Sequence, residues 1–268
     1  MTCVPQAAKE YLATVTHNQE RGGGFHVLTL NFPASFPIPH GGAFLMLSVG
    51  SEPEILLRRP MAFYDVQKKS KGVKVEILYA LVGTGTSKLA SIKPGTSLAA
   101  LGPIGNGFSQ PKRNEKVAVV AGGVGIAPFL LWGRELPPQS KKTARVLLGF
   151  RNSSQLSIAK DFGKIRIRPK TAIEGSGGDF RGTVVDLLLK ELKSDSIDRI
   201  LTCGPPKMIE KVCEIASNQK IPCEVSLEAK MACGLGVCLS CVTDFVKGNR
   251  PGGYTLVCQD GPVFNVEK

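Results

Sequence analysis

Four cysteines near the C-terminus carry the most specific chemistry in the chain. Cys233, Cys238 and Cys241 stand in C-G-L-G-V-C-L-S-C, and Cys258 follows one strand-like segment later. The order C-x₄-C-x₂-C…C is that of plant-type [2Fe–2S] ligation, in which four thiolates hold two irons. Gly234 and Gly236 permit the sharp turns by which a loop aims backbone N–H groups at sulfur. Two other readings stand beside it. Zinc also takes four thiolates, usually from paired C-x₂-C knuckles, and only Cys238 and Cys241 form such a pair. Unligated core cysteines are the third reading.

Other segments suit phosphate. Gly122-Gly123-Val124-Gly125-Ile126-Ala127-Pro128 lies between an apolar strand and a helix-like run. Glycines there allow close approach by a pyrophosphate, and a helix N-terminus offers free N–H groups; a plain structural turn is the competing reading. Cys203-Gly204-Pro205-Pro206 ends another strand, where α/β folds bind ligands, so Cys203 is either beside a nicotinamide or a small buried residue. Arg58-Arg59-Pro60-Met61-Ala62 could clamp a pyrophosphate or be an exposed basic turn. Thr86, after Gly83-Thr84-Gly85, is a candidate hydroxyl donor at a helix start. Leu101–Phe108 is a glycine-rich turn between two sheets. His17, His26 and His40 all lie in the first strands and form no constellation with a nucleophile.

The elements that must position these residues divide the chain. Residues 1–112 read as short strands, among them Gly24–Asn31, Ala43–Val49 and Val73–Leu81, with Gly and Pro between them, as in an antiparallel β-barrel. Ser109–Glu115 reads as a linker. From Lys116 the run V-A-V-V-A suits a parallel strand covered on both faces. Further strands are expected at Ala144–Phe150, Ile165–Arg168 and Arg199–Cys203, and helices at Lys88–Ile92, Phe129–Leu136, Val184–Leu192 and Pro206–Asn218. Strands alternating with helices imply a parallel α/β domain over 113–223, leaving 224–268 as a small cysteine-bearing module.

The 268 residues are ordinary globular material, 43% hydrophobic, with a net charge of +12. Basic residues are scattered, without an Arg-rich arm, so nucleic acid is not the expected partner. No apolar run reaches transmembrane length, and Met1–Glu10 lacks a signal-peptide pattern. Eight cysteines without a secretory signal suit a reducing, cytoplasmic setting.

Together and in this order, the motifs resemble the ferredoxin–NADP reductase superfamily, and within it the electron-transfer subunits of class 1B dihydroorotate dehydrogenase. R-R-P-M-A-F, G-T-G-T-S-K-L-A, L-G-P-I-G-N-G-F, A-G-G-V-G-I-A-P, C-G-P-P-K-M, M-A-C-G-L-G-V-C-L-S-C and V-C-Q-D-G-P-V-F carry the likeness over nearly the whole chain. It implies an FAD-binding β-barrel, an NAD-binding α/β domain and a C-terminal [2Fe–2S] module. FAD contacts are implied at Arg59, Pro60, Met61 and Ala62, at Leu78, Tyr79 and Ala80, and at Gly85 and Thr86. NAD(H) is expected at Gly122, Gly123, Gly125, Cys203 and Gly204, and the cluster on Cys233, Cys238, Cys241 and Cys258. The implied partner is an FMN-containing catalytic subunit in a two-plus-two heterotetramer, serving pyrimidine biosynthesis. Two positions depart from the pattern. Ala62 replaces a hydroxyl residue, and Ala80 a basic one. Arg151, in Gly149–Ser154, is the residue that could meet a 2′-phosphate and decide NADPH against NADH. A hydrogenase or ferredoxin–NADP oxidoreductase subunit, and a zinc-stapled nucleic-acid-binding protein, are the alternative functions.

Overall fold

A computed structural model describes residues 8–50, 55–246 and 253–266. Met1–Ala7, the greater part of the N-terminal stretch read for a signal pattern, lie outside the described residues.

The first half forms one antiparallel sheet. Its strands are β1 (Lys9–Gly22), β2 (Phe25–Phe32), β3 (Phe44–Leu47), β4 (Arg59–Ala62), β5 (Asp65–Lys69) and β6 (Gly72–Ala80), then helix α1 (Thr84–Ala90) and β7 (Ser97–Ile104). The order is β4-β3-β7-β1-β2-β6-β5, and the sheet curls until β4 packs against β6. Leu28, Leu30, Leu45, Phe63, Val75 and Ile77 fill the interior of this half-barrel. The expected strands are present within two residues at each end, whereas α1 begins four residues earlier than Lys88 and so takes in Gly85 and Thr86.

The second half alternates. It runs β8 (Val117–Gly122), α2 (Ala127–Glu135), α3 (Pro138–Thr143), β9 (Arg145–Phe150), β10 (Lys170–Ile173), β11 (Phe180–Arg181), α4 (Val184–Ser194), β12 (Arg199–Cys203), α5 (Pro206–Asn218) and β13 (Cys223–Ser226). Every residue of β8 is buried. Val117, Val119 and Ala121 feed the core shared with α2 and the barrel, and Ala118 and Val120 the core under α4 and α5. This is the two-faced burial that V-A-V-V-A implies. Pro206–Asn218 is helical over the expected bounds. Ile165–Arg168 is not a strand. Ala159–Ile165 is a 3₁₀ turn closed by Arg166 at φ 63°, and the strand that joins the sheet is Lys170–Ile173. Ile165 and Ile167 still reach the core, which is why their alternation looks strand-like.

The chain closes with β14 (Val242–Thr243), β15 (Thr255–Leu256), α6 (Val257–Asp260) and β16 (Val263–Val266). β16 pairs antiparallel with β13, so the order of the second sheet is β11-β10-β9-β8-β12-β13-β16. Both the cysteine loop and its return are thereby tied to that sheet. The strand order reverses between β8 and β12, and crevices at the carboxyl ends of such a pair are where α/β sheets bind ligands. No helix among the described residues is long and apolar enough to cross a membrane.

Charged contacts join the halves. The carboxylate of Asp65 on β5 accepts two hydrogen bonds from Arg134 on α2, one at 2.6 Å. Buried Asp161 accepts from Tyr64 at 2.8 Å, Arg21 at 3.1 Å and Lys164 at 2.7 Å. Burial pushes the Asp161 carboxyl up, but the bonds from Lys164, Arg21 and Tyr64 outweigh it and hold the group below its usual range. A depressed carboxyl contributes stability above the unfolded value, about 3.9, and loses it as pH falls through the folded value. Asp161→Asn should therefore cost about 1.5–3 kcal/mol at neutral pH, a difference that stays flat to about pH 5 and shrinks below about pH 4. Urea unfolding followed by the fluorescence of the single tryptophan, Trp132, measures it. A pH-independent gap would refute the charge origin.

Candidate functional site: two adjoining cavities and a thiol loop

Two cavities meet along the carboxyl ends of β8 and β12. The first, about 320 Å³, lies between the barrel and the second sheet. Arg59, Pro60, Met61 and Ala62 of β4, Leu78, Tyr79 and Ala80 of β6, and Thr86 of α1 line it on the barrel side; Cys203, Ser226 and Met231 are among the residues opposite. Tyr79 offers its backbone, because its ring belongs to the barrel core and its hydroxyl donates to Asn18 at 2.8 Å. Burial above all holds that phenol up at about 12.

Arg59 and Arg58 part company. Arg58 pairs with Glu10. Arg59 lines the cavity, donates to the Leu57 carbonyl at 2.6 Å, and lies against Gly85 so closely that any side chain there would strike its guanidinium. Gly85 is thus the seat of Arg59. The Thr86 hydroxyl turns back on its own loop, accepting from Val82 N at 3.0 Å and Gly83 N at 3.2 Å and donating to the Gly83 carbonyl. Neither Ala62 nor Ala80 brings a polar side chain to the wall.

The second cavity, about 750 Å³, is lined by Gly122, Gly123 and Gly125 from the turn after β8, by Gly204, Pro205 and Pro206 after β12, and by Arg151 and Glu174 at the ends of β9 and β10. Gly123 sits at φ 58° with open space where a Cβ would point. At Gly125 a Cβ would fall 2.6 Å from the Cys203 and Gly204 backbone, and at Gly204 it would press on Gly122. The glycines let two strand ends touch and leave bare backbone facing the cleft, as a pyrophosphate requires. Ala80, Val82, Val124, Gly125 and Glu228 line both cavities. Cys203 opens on the first and Gly204 on the second. Burial, then the field of Glu228, raises the Cys203 thiol to about 12, against a hydrogen bond with Ser226. Cys203 is therefore a neutral thiol at the junction and not a nucleophile.

The cysteine loop packs on the barrel next to the first cavity. Gly234 and Gly236 have φ 70° and 79°, and Leu239 has φ 58°. A Cβ on Gly234 would meet Met46 of β3 at 2.6 Å, so the loop lies directly on that strand. Met231 and Phe44 belong both to the cavity wall and to the apolar cluster around Cys241 and Cys258. The four thiols come in twos. Cys241 Sγ is 3.3 Å from Cys258 Sγ, both buried; Cys238, exposed, lies beside Cys233. The backbone N–H of Leu235 points at Cys233 Sγ at 3.3 Å. Hydrogen bonding, first with the Ser240 hydroxyl, lowers Cys238 to about 6, whereas burial first and then Cys241 raise Cys258 to about 12. Among the described residues no group of three or more His, Cys, Asp or Glu side chains is placed to hold a single metal ion. Two thiol pairs with N–H groups aimed at sulfur fit two irons, each held by two cysteines, better than one zinc inside four sulfurs. His17, His26 and His40 line neither cavity; His40 meets Glu135 at 2.9 Å.

Residues 228–268 match the iron–sulfur cluster binding domain of dihydroorotate dehydrogenase B, and residues 119–214 match the oxidoreductase NAD-binding domain. Relatives called dihydroorotate dehydrogenase B (NAD(+)), electron transfer subunit, are 36% identical in Caldanaerobacter subterraneus (86% of this chain, 87% of the relative) and 33% identical in Clostridium perfringens (96% and 97%). The chain belongs to this family of electron transfer subunits. Among solved structures, an NADH-dependent reduced ferredoxin–NADP oxidoreductase aligns with TM-score 0.78 at 23% identity, covering 94% of this chain and 87% of that one. A ferredoxin–NADP⁺ reductase from Neisseria gonorrhoeae with bound FAD and NADP aligns with TM-score 0.64 at 16% identity, covering 78% and 91%. These two share the fold. The family gives the motifs a common frame; Glu228 opens the matched cluster-binding segment but lies outside the motifs read from the sequence. A lone acidic residue after a strand has no signature, and only the folded chain brings it to the wall between the cavities.

Proposed function

We propose that the chain carries electrons between NAD(H) and the FMN-containing catalytic subunit of an NAD-dependent dihydroorotate dehydrogenase, in pyrimidine biosynthesis. One observation carries this reading. The first cavity shares a wall with the glycine-lined cleft on one side and, through Phe44 and Met231, with the cysteine loop on the other. Flavin supplies the change of electron count between a nicotinamide that exchanges two electrons together and a cluster that takes one. The chain's own part is placement. Arg59 to Ala62, Leu78 to Ala80, Gly85 and Thr86 hold FAD; Gly122, Gly123, Gly125, Cys203 and Gly204 hold NAD(H); Cys233, Cys238, Cys241 and Cys258 hold the [2Fe–2S] cluster.

The proposed units are 1–112 for FAD, 113–223 for NAD(H) and 224–268 for the cluster, with β13 and β16 stitching the last two together. The partner docks over the cluster loop. Leu235, Val237, Leu239, Val242 and Phe245 stand exposed there, Val237 at 80%, around exposed Cys238. An apolar rim of this kind marks an interaction surface. A two-plus-two heterotetramer in the cytoplasm completes the proposal.

The isolated chain, loaded with FAD and cluster, should reduce an artificial dye with NADH and leave dihydroorotate untouched. Among the described residues no base and no FMN site for that substrate is evident. Assembly with the FMN subunit should bring NAD⁺-dependent dihydroorotate oxidation. Turnover of dihydroorotate by the isolated chain, or no NADH-to-dye activity, would overturn the proposal, and the mass of the assembled complex tests the stoichiometry.

A further inference from the structure

Asn18 brings a polar side chain to the core face of the barrel. The pairing of β1 with β2 slips by one residue between Val15 and His17, as at a β-bulge, so Asn18 stands opposite Leu28 and shares its inward face. Both ends of its amide are engaged. Oδ1 accepts from the Tyr79 hydroxyl at 2.8 Å. Nδ2 shares its hydrogens among the carbonyls of Leu89 at 2.7 Å, Ile92 at 3.2 Å and Ala90 at 3.5 Å. Those carbonyls lie at and just beyond the end of α1. The last carbonyls of a helix have no partner within it, and Asn18 supplies one from a strand 71 residues earlier. α1 needs such a hold. It has seven residues, of which only Gly85 and Leu89 are buried, and a helix so short is marginal by itself. Leu89 enters the barrel core and sets how deep α1 lies. Directional hydrogen bonds set where along its axis it stops. Gly85, one turn earlier, is the surface on which the Arg59 guanidinium rests.

We propose that Asn18 is a positioning residue for flavin binding: its hold on the end of α1 fixes Gly85 and thereby the pose of the Arg59 guanidinium, and the Tyr79 hydroxyl fixes Asn18 in turn. This rests on the reading that the first cavity takes FAD, with Arg59 at its pyrophosphate. Asn18 does not line that cavity, so its route to the flavin runs through α1. Arg59 has the Leu57 carbonyl on one side and the Gly85 backbone on the other. A fork held in one pose gives up less entropy when it meets a phosphate. A shift of α1 removes one of the two supports and leaves the charge in place but loosely aimed. The position calls for a short side chain with a donor and an acceptor on one plane, which is what an amide offers. A leucine of the same volume would leave the helix-end carbonyls bare.

A double-mutant cycle on the deflavinated, cluster-loaded chain tests this, with FAD affinity read from flavin fluorescence. Asn18→Leu keeps the volume and removes donor and acceptor together. It should weaken FAD about fivefold or more. In an Arg59→Ala background the same change should cost less than about twofold, because the seat then has nothing to hold. In an Arg58→Ala background the full loss should persist. Tyr79→Phe deletes one hydroxyl and leaves the carbonyl bonds; it should weaken FAD about two- to threefold, with the same dependence on Arg59. Cluster absorbance and Trp132 fluorescence show that each variant is folded. Should Asn18→Leu not fold, Tyr79→Phe decides, and an unchanged FAD affinity there would overturn the role. A loss below about twofold in folded Asn18→Leu, or an equal loss with and without Arg59, would also overturn it and leave Asn18 a stabiliser of the barrel alone. Failure of the unaltered chain to bind FAD, or of Arg59→Ala to weaken it, would instead overturn the reading of the first cavity, and the proposal with it.

Discussion

Replacement of Cys258 by serine is expected to strip the chain of most of its iron and acid-labile sulfide and to cut coupled dihydroorotate oxidation at least about 100-fold, since even outer-shell changes at metal sites cost 10–100-fold. Cys258 is buried, 3.3 Å from Cys241, and the backbone of Gly236 aims an N–H at its sulfur. A serine hydroxyl is shorter, harder and protonated at neutral pH, so one iron loses half of its protein ligands. NADH-to-dye activity should persist, because Arg59, Gly125 and most of the two cavity walls are built by other elements, with Phe44 and Met231 the residues shared with the cysteine cluster. Loss of Cys258 also touches an apolar cluster, so Cys238→Ser is the companion variant. Cys238 is exposed and supports no core, yet it should lose the cluster equally. Cys213→Ser serves as the reference. Cys213 lies on α5 against Cys223 of β13, away from the loop, and its variant should keep iron and sulfide. Full iron in Cys258→Ser, or full coupled activity without the cluster, would overturn the four-thiolate assignment.

Local chemistry made much of this architecture legible. Pro205-Pro206 followed by an amphipathic run fixes the start of α5, and an unbroken apolar V-A-V-V-A is enough for a strand with two covered faces. Glycines that sit at positive φ or touch a neighbouring backbone line the cleft, Gly123 and Gly125 among them, and their clustering after an apolar strand is visible in the sequence. Ile165–Arg168 alternates like a strand, but Ile165 ends a 3₁₀ turn and Ile167 follows its cap, and both side chains reach the core. What the sequence hides is convergence. Asp161 meets Arg21 across 140 residues, and nothing near either residue announces the pair. Arg58 and Arg59 are adjacent and alike in sequence; only Glu10 on β1 and Gly85 on α1 decide which one faces the cavity. The same holds for Thr86, whose hydroxyl serves its own turn.

That difference between neighbours gives the second large effect. Arg59→Ala should weaken FAD binding by about 1.5–3 kcal/mol, the range for a hydrogen bond to a charged group, which is roughly 10–100-fold in Kd. Among the described residues that line the first cavity, Arg59 is the sole cation. With Ala80 beside it, no second described lining residue offers a positive charge to a pyrophosphate there. The guanidinium is already held by the Leu57 carbonyl and seated on Gly85, so little ordering remains to oppose binding. Arg58→Ala removes an identical charge one residue away. It should leave FAD affinity nearly unchanged, because Arg58 is turned toward Glu10. Arg59→Lys should fall between, keeping charge without the planar fork. Titration of FAD into deflavinated protein, followed by flavin fluorescence, measures all three, and cluster absorbance confirms that the C-terminal loop is intact. Equal losses from Arg58→Ala and Arg59→Ala would reduce the effect to general electrostatics, and unchanged affinity in Arg59→Ala would remove the clamp altogether.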